Sequence, residues 1–383
     1  MTASGILSVG RQMTKAAYRL DVYDTSGALQ YVLDCKDTPT SLKYIRRVNA
    51  PGLVTFNIAG DHDLLSDIGD KWQIEVWRKP YKSTWWREIS AFYRDLNPWQ
   101  YIDQSTATLN CVGIMAMLEW RHVAYYANTA DRSYFSAAEV ETIANTLVTY
   151  NATTSGTVVD GRLRAAGGGY PFTGLSVEAD GGDGTAVDWY CAYDNLLETL
   201  QNLVKGEGDF DIVKTSSTAW QWRYYEGQLG TDRSATVMFA LKRGNMKRPR
   251  YYDIRSEEKT VGIVGGQGEE SERETAVRTG TNYAATNDIE VFIPAVDIDL
   301  GDTDGLNTRG DSTLTRYEAV KKFEFGVLDI ESAQYGIDYD LGDLVTAINP
   351  YDGTEYTIEI IGVGIGLDGD GNETIEIEAS EPR

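Results

Sequence analysis

Along most of the chain apolar and polar residues alternate in short runs, and turn residues close nearly every run. Tyr18-Arg-Leu-Asp-Val-Tyr leads into Asp24-Thr-Ser-Gly27. Ser41-Leu-Lys-Tyr-Ile, Leu53-Val-Thr-Phe-Asn-Ile, Trp72-Gln-Ile-Glu-Val-Trp, Trp86-Arg-Glu-Ile-Ser-Ala-Phe-Tyr and Ser105-Thr-Ala-Thr-Leu-Asn-Cys repeat the pattern. A period of two sends successive side chains to opposite faces of a strand, so these runs predict strands. Their close spacing predicts a first tube-like antiparallel β-barrel or sandwich over residues 18–120, after a polar leader at 1–17.

The texture changes over residues 121–235. Ser136-Ala-Ala-Glu139 has the form of a capping box and precedes Val140, Ile143, Leu147 and Val148, which share one helical stripe. A second helix is predicted from Asp194, with Leu196, Leu197, Leu200, Leu203 and Val204 on one face and Gly206 as its stop. Between them Ala165-Ala-Gly-Gly-Gly-Tyr-Pro predicts a loop, and the whole reads as a small inserted α/β domain. Strands resume at Thr236-Val-Met-Phe-Ala-Leu. A second tube-like β-barrel domain is predicted over 236–266 and 323–383, interrupted at 267–322 by a polar insertion with a short helix near Ser312–Lys322. Asp368-Gly-Asp-Gly-Asn predicts the hairpin turn between the last two strands.

A weak internal repeat supports that division. Ile68-Gly-Asp-Lys-Trp-Gln-Ile-Glu-Val and Leu341-Gly-Asp-Leu-Val-Thr-Ala-Ile open the same series of strand, turn and strand, which sets Gly69-Asp70 beside Gly342-Asp343. Ser41 to Gly60 can likewise be laid beside Asn245 to Gly266. The fold class expected is therefore mainly β (α+β), with two related β-domains. Three copies of a chain with two similar domains can present six similar units, a geometry suited to joining threefold and sixfold assemblies.

Composition agrees with a β-rich globular chain: 383 residues, 42% hydrophobic and 24% charged, with 24 Tyr, 9 Trp and 38 Gly. The formal net charge of −23 disfavours nucleic acid as a tightly held partner. Residues 281–383 carry 5 Lys and Arg against 23 Asp and Glu, a net −18 that leaves −5 for the rest. Cys35, Cys111 and Cys191 stand far apart in no metal or disulfide spacing and read as reduced thiols. The start lacks the apolar core of a secretory signal, and no run approaches the roughly 20 apolar residues of a membrane span.

The order of landmarks resembles the hub or tail-tip proteins of long-tailed, non-contractile phages, a family that itself resembles the central hub protein of contractile-tail baseplates. They are Leu20-Asp-Val-Tyr-Asp, Arg46-Arg47…Pro51-Gly52…Phe56-Asn-Ile, Ile68-Gly-Asp, Asp194-Asn-Leu-Leu-Glu-Thr-Leu, Val237-Met-Phe-Ala…Gly244-Asn-Met, Val264-Gly-Gly-Gln-Gly and Tyr339-Asp-Leu-Gly-Asp-Leu-Val. The resemblance implies a homotrimeric ring of tube-like β-domains around a channel. Its implied partners are a distal tail or tube ring above, the tape-measure C-terminus inside, a separate tip or fibre protein below, and DNA passing without sequence-specific binding. It implies a virion protein of the tail tip, assembled in the host cytoplasm, and places fibre or peptidoglycan-cleaving activities on other chains. The acid-rich C-terminal region, with Asp340 and Asp343, is expected to face the channel, where like charge keeps DNA from adhering.

No constellation singles out catalysis, so no catalytic, cofactor or metal residue is assigned and no cofactor is expected. The two histidines, His62 in a polar loop and His122 beside Trp120 and Arg121, read as solvated and as packed. Among 58 acids no spacing marks a pair. Asp368–Glu373 and Asp180–Gly184 lack the sixth-place glycine and twelfth-place glutamate of a calcium loop, and Gly265-Gly-Gln-Gly268 lacks the Lys-Ser/Thr of a phosphate loop. Lys242, Arg243, Lys247, Arg248 and Arg250 form the one basic cluster, which suits an acidic partner surface. Arg309-Gly-Asp311 matches an adhesion tripeptide and carries no weight alone. Trp85-Trp86 and the alternating Trp220, Trp222 and Tyr224 favour core or interface packing, with sugar stacking as the competing use. The competing function, a tail-associated peptidoglycan hydrolase or carbohydrate-binding protein, rests only on these aromatics and acids.

Overall fold

The computed structural model describes residues 16–36, 41–124, 132–156, 172–328, 330 and 333–380. The first run of strands comprises β1 (Ala17–Tyr23), β2 (Leu29–Asp34), β3 (Ser41–Arg47), β4 (Leu53–Ala59), β5 (Gln73–Lys79), β6 (Trp86–Tyr101) and β7 (Ser105–Gly113), with a single helical turn, α1 (Leu64–Asp67), before β5. They pair antiparallel in the lateral order β3-β4-β7-β6-β5-β1-β2. Alternation fixes their inner face: Val54, Phe56 and Ile58 are buried, whereas Thr55 and Asn57 face outward.

The middle region holds α2 (Ala116–Glu119), β8 (Ser133–Glu139), α3 (Val140–Ala152), β9 (Leu175–Val177), β10 (Ala186–Cys191), α4 (Leu196–Val204), β11 (Gly208–Lys214) and β12 (Trp220–Glu226). Two small sheets, β10-β8 and β11-β12-β9, enclose a separate core with α3 and α4. The leucine stripe of α4 is buried as its spacing predicts, with Asn195 Oδ1 capping Glu198 N and Gly206 past the helix end at φ +81°. The expected capping box does not form. Ser136–Glu139 finish β8, bulged at Ala137 with its left-handed φ of +47°, because pairing with β10 takes that segment before the helix begins. The loop predicted at Ala165–Pro171 lies outside the described residues.

The remainder contributes β13 (Met238–Phe239), β14 (Met246–Ile254), β15 (Val261–Gly265), β16 (Thr275–Thr279), β17 (Glu290–Pro294), α5 (Thr303–Arg316), β18 (Val320–Val327), β19 (Leu344–Ile348), β20 (Glu355–Leu367) and β21 (Glu373–Ser380). The order β14-β18-β21-β20, with β19 and then β13 branching from β20, repeats β3-β4-β7-β6-β5-β1 strand for strand. One pairing differs: β13 runs parallel to β19, whereas β1 runs antiparallel to β5.

Three expectations change. Val261–Gly265 is not in the second β-region; it pairs with β16 and β17 in a three-stranded sheet against which α5 packs. That helix begins at Thr303, where Asp302 Oδ1 accepts from Gly305 N, and ends at Arg316; Val320–Lys322 are strand. Finally, the chain is mainly β, but among the described residues its strands do not close into two barrels. The second half of β20 pairs along its outer edge with β3, so both β-regions belong to one 13-stranded sheet over one continuous core.

Candidate assembly interface

Ion pairs and hydrogen bonds centred on the buried Arg78 and Glu88 fix the relative placement of the two β-regions. Arg46 donates through Nη1 to Tyr335 Oη and Asp340 Oδ1, both at 2.7 Å, while Tyr335 donates to Glu88 Oε2 at 2.8 Å. Arg78, fully buried, donates to Tyr18 Oη at 2.8 Å, the Tyr335 carbonyl at 3.0 Å and Glu373 Oε1 at 2.8 Å. Four of these groups come from the first β-region and three from the second. Burial raises the Glu88 carboxyl above its usual range, opposed by Arg46 and Arg78. A charge removed from water needs such complete pairing, so this network fixes position at little net gain in stability.

Asn49 joins the middle region to the first. Its Oδ1 accepts from Phe210 N at 2.7 Å, its Nδ2 donates to Asp209 Oδ1 at 2.8 Å, and its carbonyl accepts from Gln201 at 2.7 Å. The nearby cavity is lined by Arg46, Arg87, Glu88, Asp211 and Lys214. Lys214 pairs with Glu75 at 2.8 Å, and burial lowers its pKa. Asp211 is pushed up to about 6 by burial, against the pull of the Ile212 N–H.

The two β-regions share a finer signature. Pairing of β6 with β7 slips between Tyr93 and Asp95, and pairing of β20 with β21 slips between Ile360 and Gly362. One residue before each bulge, Tyr93 N donates to the Trp72 carbonyl and Lys71 N to the Tyr93 carbonyl; Ile360 N donates to the Asp343 carbonyl and Gly342 N to the Ile360 carbonyl. Lys71 and Gly342 both have left-handed backbone, φ +62° and +84°. The register therefore equates Gly342 with Lys71 and not with Gly69, so the two Gly-Asp steps are offset by two residues. Asp343 is buried, accepting from Thr231 N and Asp340 N. Of the two acids expected to face the channel, Asp343 is thus buried, while Asp340 is held on Arg46 with about half of its side chain exposed.

The outer face of the shared sheet is mixed in charge. Arg47 and Lys322 pair with Glu378, and Arg250 and Lys322 with Glu324. Its glycines at 362, 364 and 366 leave β20 bare of side chains between Lys43 and Glu376. The basic cluster divides: Lys247, Arg248 and Arg250 lie on β14, and Lys242 and Arg243 in the 3-10 turn before it.

The other sequence candidates take structural places. His62 Nδ1 accepts from Leu64 N, His122 Nδ1 is 3.2 Å from the Tyr193 carbonyl, and Cys111 and Cys191 are buried. Trp222 and Tyr224 are buried in the middle core with Trp220 against it. Arg309 and Asp311 sit on α5, paired with Asp297 and Arg278. Asp368 caps its own hairpin, accepting from the Asp370 and Asn372 N–H groups. Glu141 accepts from Gly181 N and Asp183 N, which organises the 180–184 loop around the start of α3. Among the described residues no cluster of three metal-ligating groups occurs, and no helix is long and apolar enough to cross a membrane.

No curated protein sequence matches the chain. Its fold is that of the 43 kDa tail protein of prophage MuSo2 from Shewanella oneidensis, at 14% identity and TM-score 0.53, covering 96% of this chain and 98% of that one. The tail protein from Neisseria meningitidis MC58 is similar at 10% identity and TM-score 0.53, covering 96% and 97%. A chain of the lidded Francisella PdpA-VgrG complex is similar at 8% identity and TM-score 0.52, over 98% of this chain and 54% of that one. The model of the Siphovirus ReqiPepy6 Gp37-like proteins matches residues 19–379, and the chain belongs to that family.

Proposed function

We propose that this protein is the baseplate hub of a long, non-contractile phage tail, a structural virion component with no catalytic role. Three copies form a ring whose six similar β-units meet the sixfold tail tube on one side and threefold tip components on the other. The observation that carries this reading is the repeated strand order with its matching bulges and left-handed residues, which makes the two β-regions copies of one unit. Ring closure turns the open sheet into part of a barrel around the DNA channel. The tube ring or distal tail protein, the tape-measure C-terminus and a separate tip or fibre protein are its neighbours, and DNA passes without being read. The mixed-charge, glycine-bearing outer face suits passage of a polyanion, because Arg47, Arg250 and Lys322 are paired with Glu324 and Glu378. A cryo-EM map of the assembled tail tests this: three copies per ring are expected, and one or six overturns it.

A further inference from the structure

Inside one chain, β20 and β3 join two equivalent units edge to edge, pairing Gly362 with Arg47 through Leu367 with Leu42. The strand equivalent to β20 is β6, and the strand equivalent to β3 is β14. Among the described residues, the edge of β6 facing away from β7 carries no strand beyond the Gln73–Phe92 pairing, and β14 is the last strand of its sheet. Each half of the seam thus recurs once without its partner.

We propose that the free edge of β6 pairs antiparallel with the free edge of β14 from a second copy of this chain, repeating the internal seam between molecules. This rests on the ring reading and supplies its contact. Side chains support it. Val363, Ile365 and Leu367 are 0%, 3% and 7% exposed beside β3, whereas their equivalents Leu96, Trp99 and Tyr101 are 39%, 52% and 70% exposed. Three apolar groups on one bare strand edge lose their exposure when a strand is laid beside them, as happens in β20.

The register follows from the bulges. Counted from β4 and β18, Tyr44 is equivalent to Tyr251 and Lys43 to Arg250. Ile365 opposite Tyr44 becomes Trp99 opposite Tyr251, and Gly366 opposite Lys43 becomes Gln100 opposite Arg250. The basic end of β14, Lys247 and Arg248, then meets the β6–β7 hairpin tip at Asp103, a complementary charge. Pro98 offers no N–H, so the seam lacks one bond there. Among the described residues β14 and β6 lie seven strands apart in the sheet order and do not pair within the chain, so the partner strand comes from another molecule. Two different edges make a head-to-tail contact, the kind that closes into a ring.

The test is thiol cross-linking of the full chain with a short bismaleimide, alongside sedimentation. The double variant Gln100→Cys, Arg250→Cys is expected to give a ladder ending at three chains. Each single variant alone is expected to stay uncrossed, as the unsubstituted chain does with Cys35, Cys111 and Cys191, while a mixture of the two singles gives a dimer. Self-cross-linking of either single variant to high yield overturns the seam. So does an oligomer by sedimentation whose double variant stays uncrossed, an outcome that leaves the hub reading intact for the copy count in tails to judge. A chain that sediments as a monomer and is uncrossed throughout overturns the seam as well. Arg248→Glu, at an exposed position facing Asp103 across the seam, is expected to weaken association about tenfold while the monomer's melting is unchanged.

Discussion

The second halves of β6 and β20 are equivalent by strand order and by bulge, and they differ in what lies beside them. Beside β20 runs β3, and the facing positions are glycines outside and Val363, Ile365 and Leu367 inside. On the side of β6 away from β7 no strand lies along the corresponding stretch among the described residues, and that stretch carries Asp95, Pro98 and Gln100 with three exposed apolar residues. A covered edge can be made of small and aliphatic residues because its partner never leaves. An edge that must stay soluble before it is covered needs charge, proline and bulges to discourage wrong pairing. On the proposed seam, the same unit serves a permanent contact in one copy and a conditional one in the other.

The largest effect expected is at the buried ion pairs that hold the two copies in place. Arg78→Met leaves Glu373 and Tyr18 without their partner and should lower unfolding stability by about 3–5 kcal/mol in a denaturant titration. Next, Ile365→Ala should cost about 2–4 kcal/mol in the isolated chain, whereas Trp99→Ala, at the equivalent bare position, should cost under about 1 kcal/mol. Equal losses at the two sites would erase the distinction between covered and bare edges.

The paired left-handed residues give a smaller contrast. A Cβ on Gly342 would stand 2.6 Å from Gly230 N, so Gly342→Ala should destabilise by more than about 1 kcal/mol. Lys71→Gly relieves a left-handed lysine at the same place and should be neutral or stabilising by a few tenths of a kcal/mol, read from the thermal midpoint.

The smallest effect concerns the cavity beside the middle region. The Asp211 carboxyl is raised to about 6, so the folded state holds a proton there that the unfolded chain has lost. Its contribution to stability therefore rises as pH falls from about 7 through 6 toward the ordinary carboxylate range. Asp211→Asn should flatten that slope and add on the order of 1 kcal/mol above pH 7, measured by unfolding across pH.

Features set by neighbours in sequence were legible before the fold was known. The α4 stripe with its stop at Gly206 and the Asp368–Asn372 hairpin form where their residues predict, since each depends on contacts within a few positions. Ser136–Glu139 misled because a strand partner at 186–191 outweighs a local cap. Val261–Gly265 misled because its short apolar run reads as a strand just as Leu53–Ile58 does, and only the pairing partners tell them apart. The Gly-Asp steps suggested a true kinship of units but the wrong alignment, since Lys71 takes the left-handed backbone that glycine takes at 342. The β20–β3 seam joins residues some three hundred positions apart and left no local mark except the alternating glycines of β20.

Ile254, the end of β14, lies in register with Val320, the start of β18, so everything from 255 to 319 departs and returns at one hydrogen-bonded pair. In the first unit the same connection is the short turn from Arg47 to Leu53. Closure entropy grows only logarithmically with loop length, about 0.6 kcal/mol per doubling, so this point in the hairpin tolerates cargo of widely different size. In evolutionary terms it is a cassette socket: recombination can exchange its contents without disturbing the sheet, while Lys205–Glu318 and Tyr190–Asp302 require each newcomer to come to terms with the middle region.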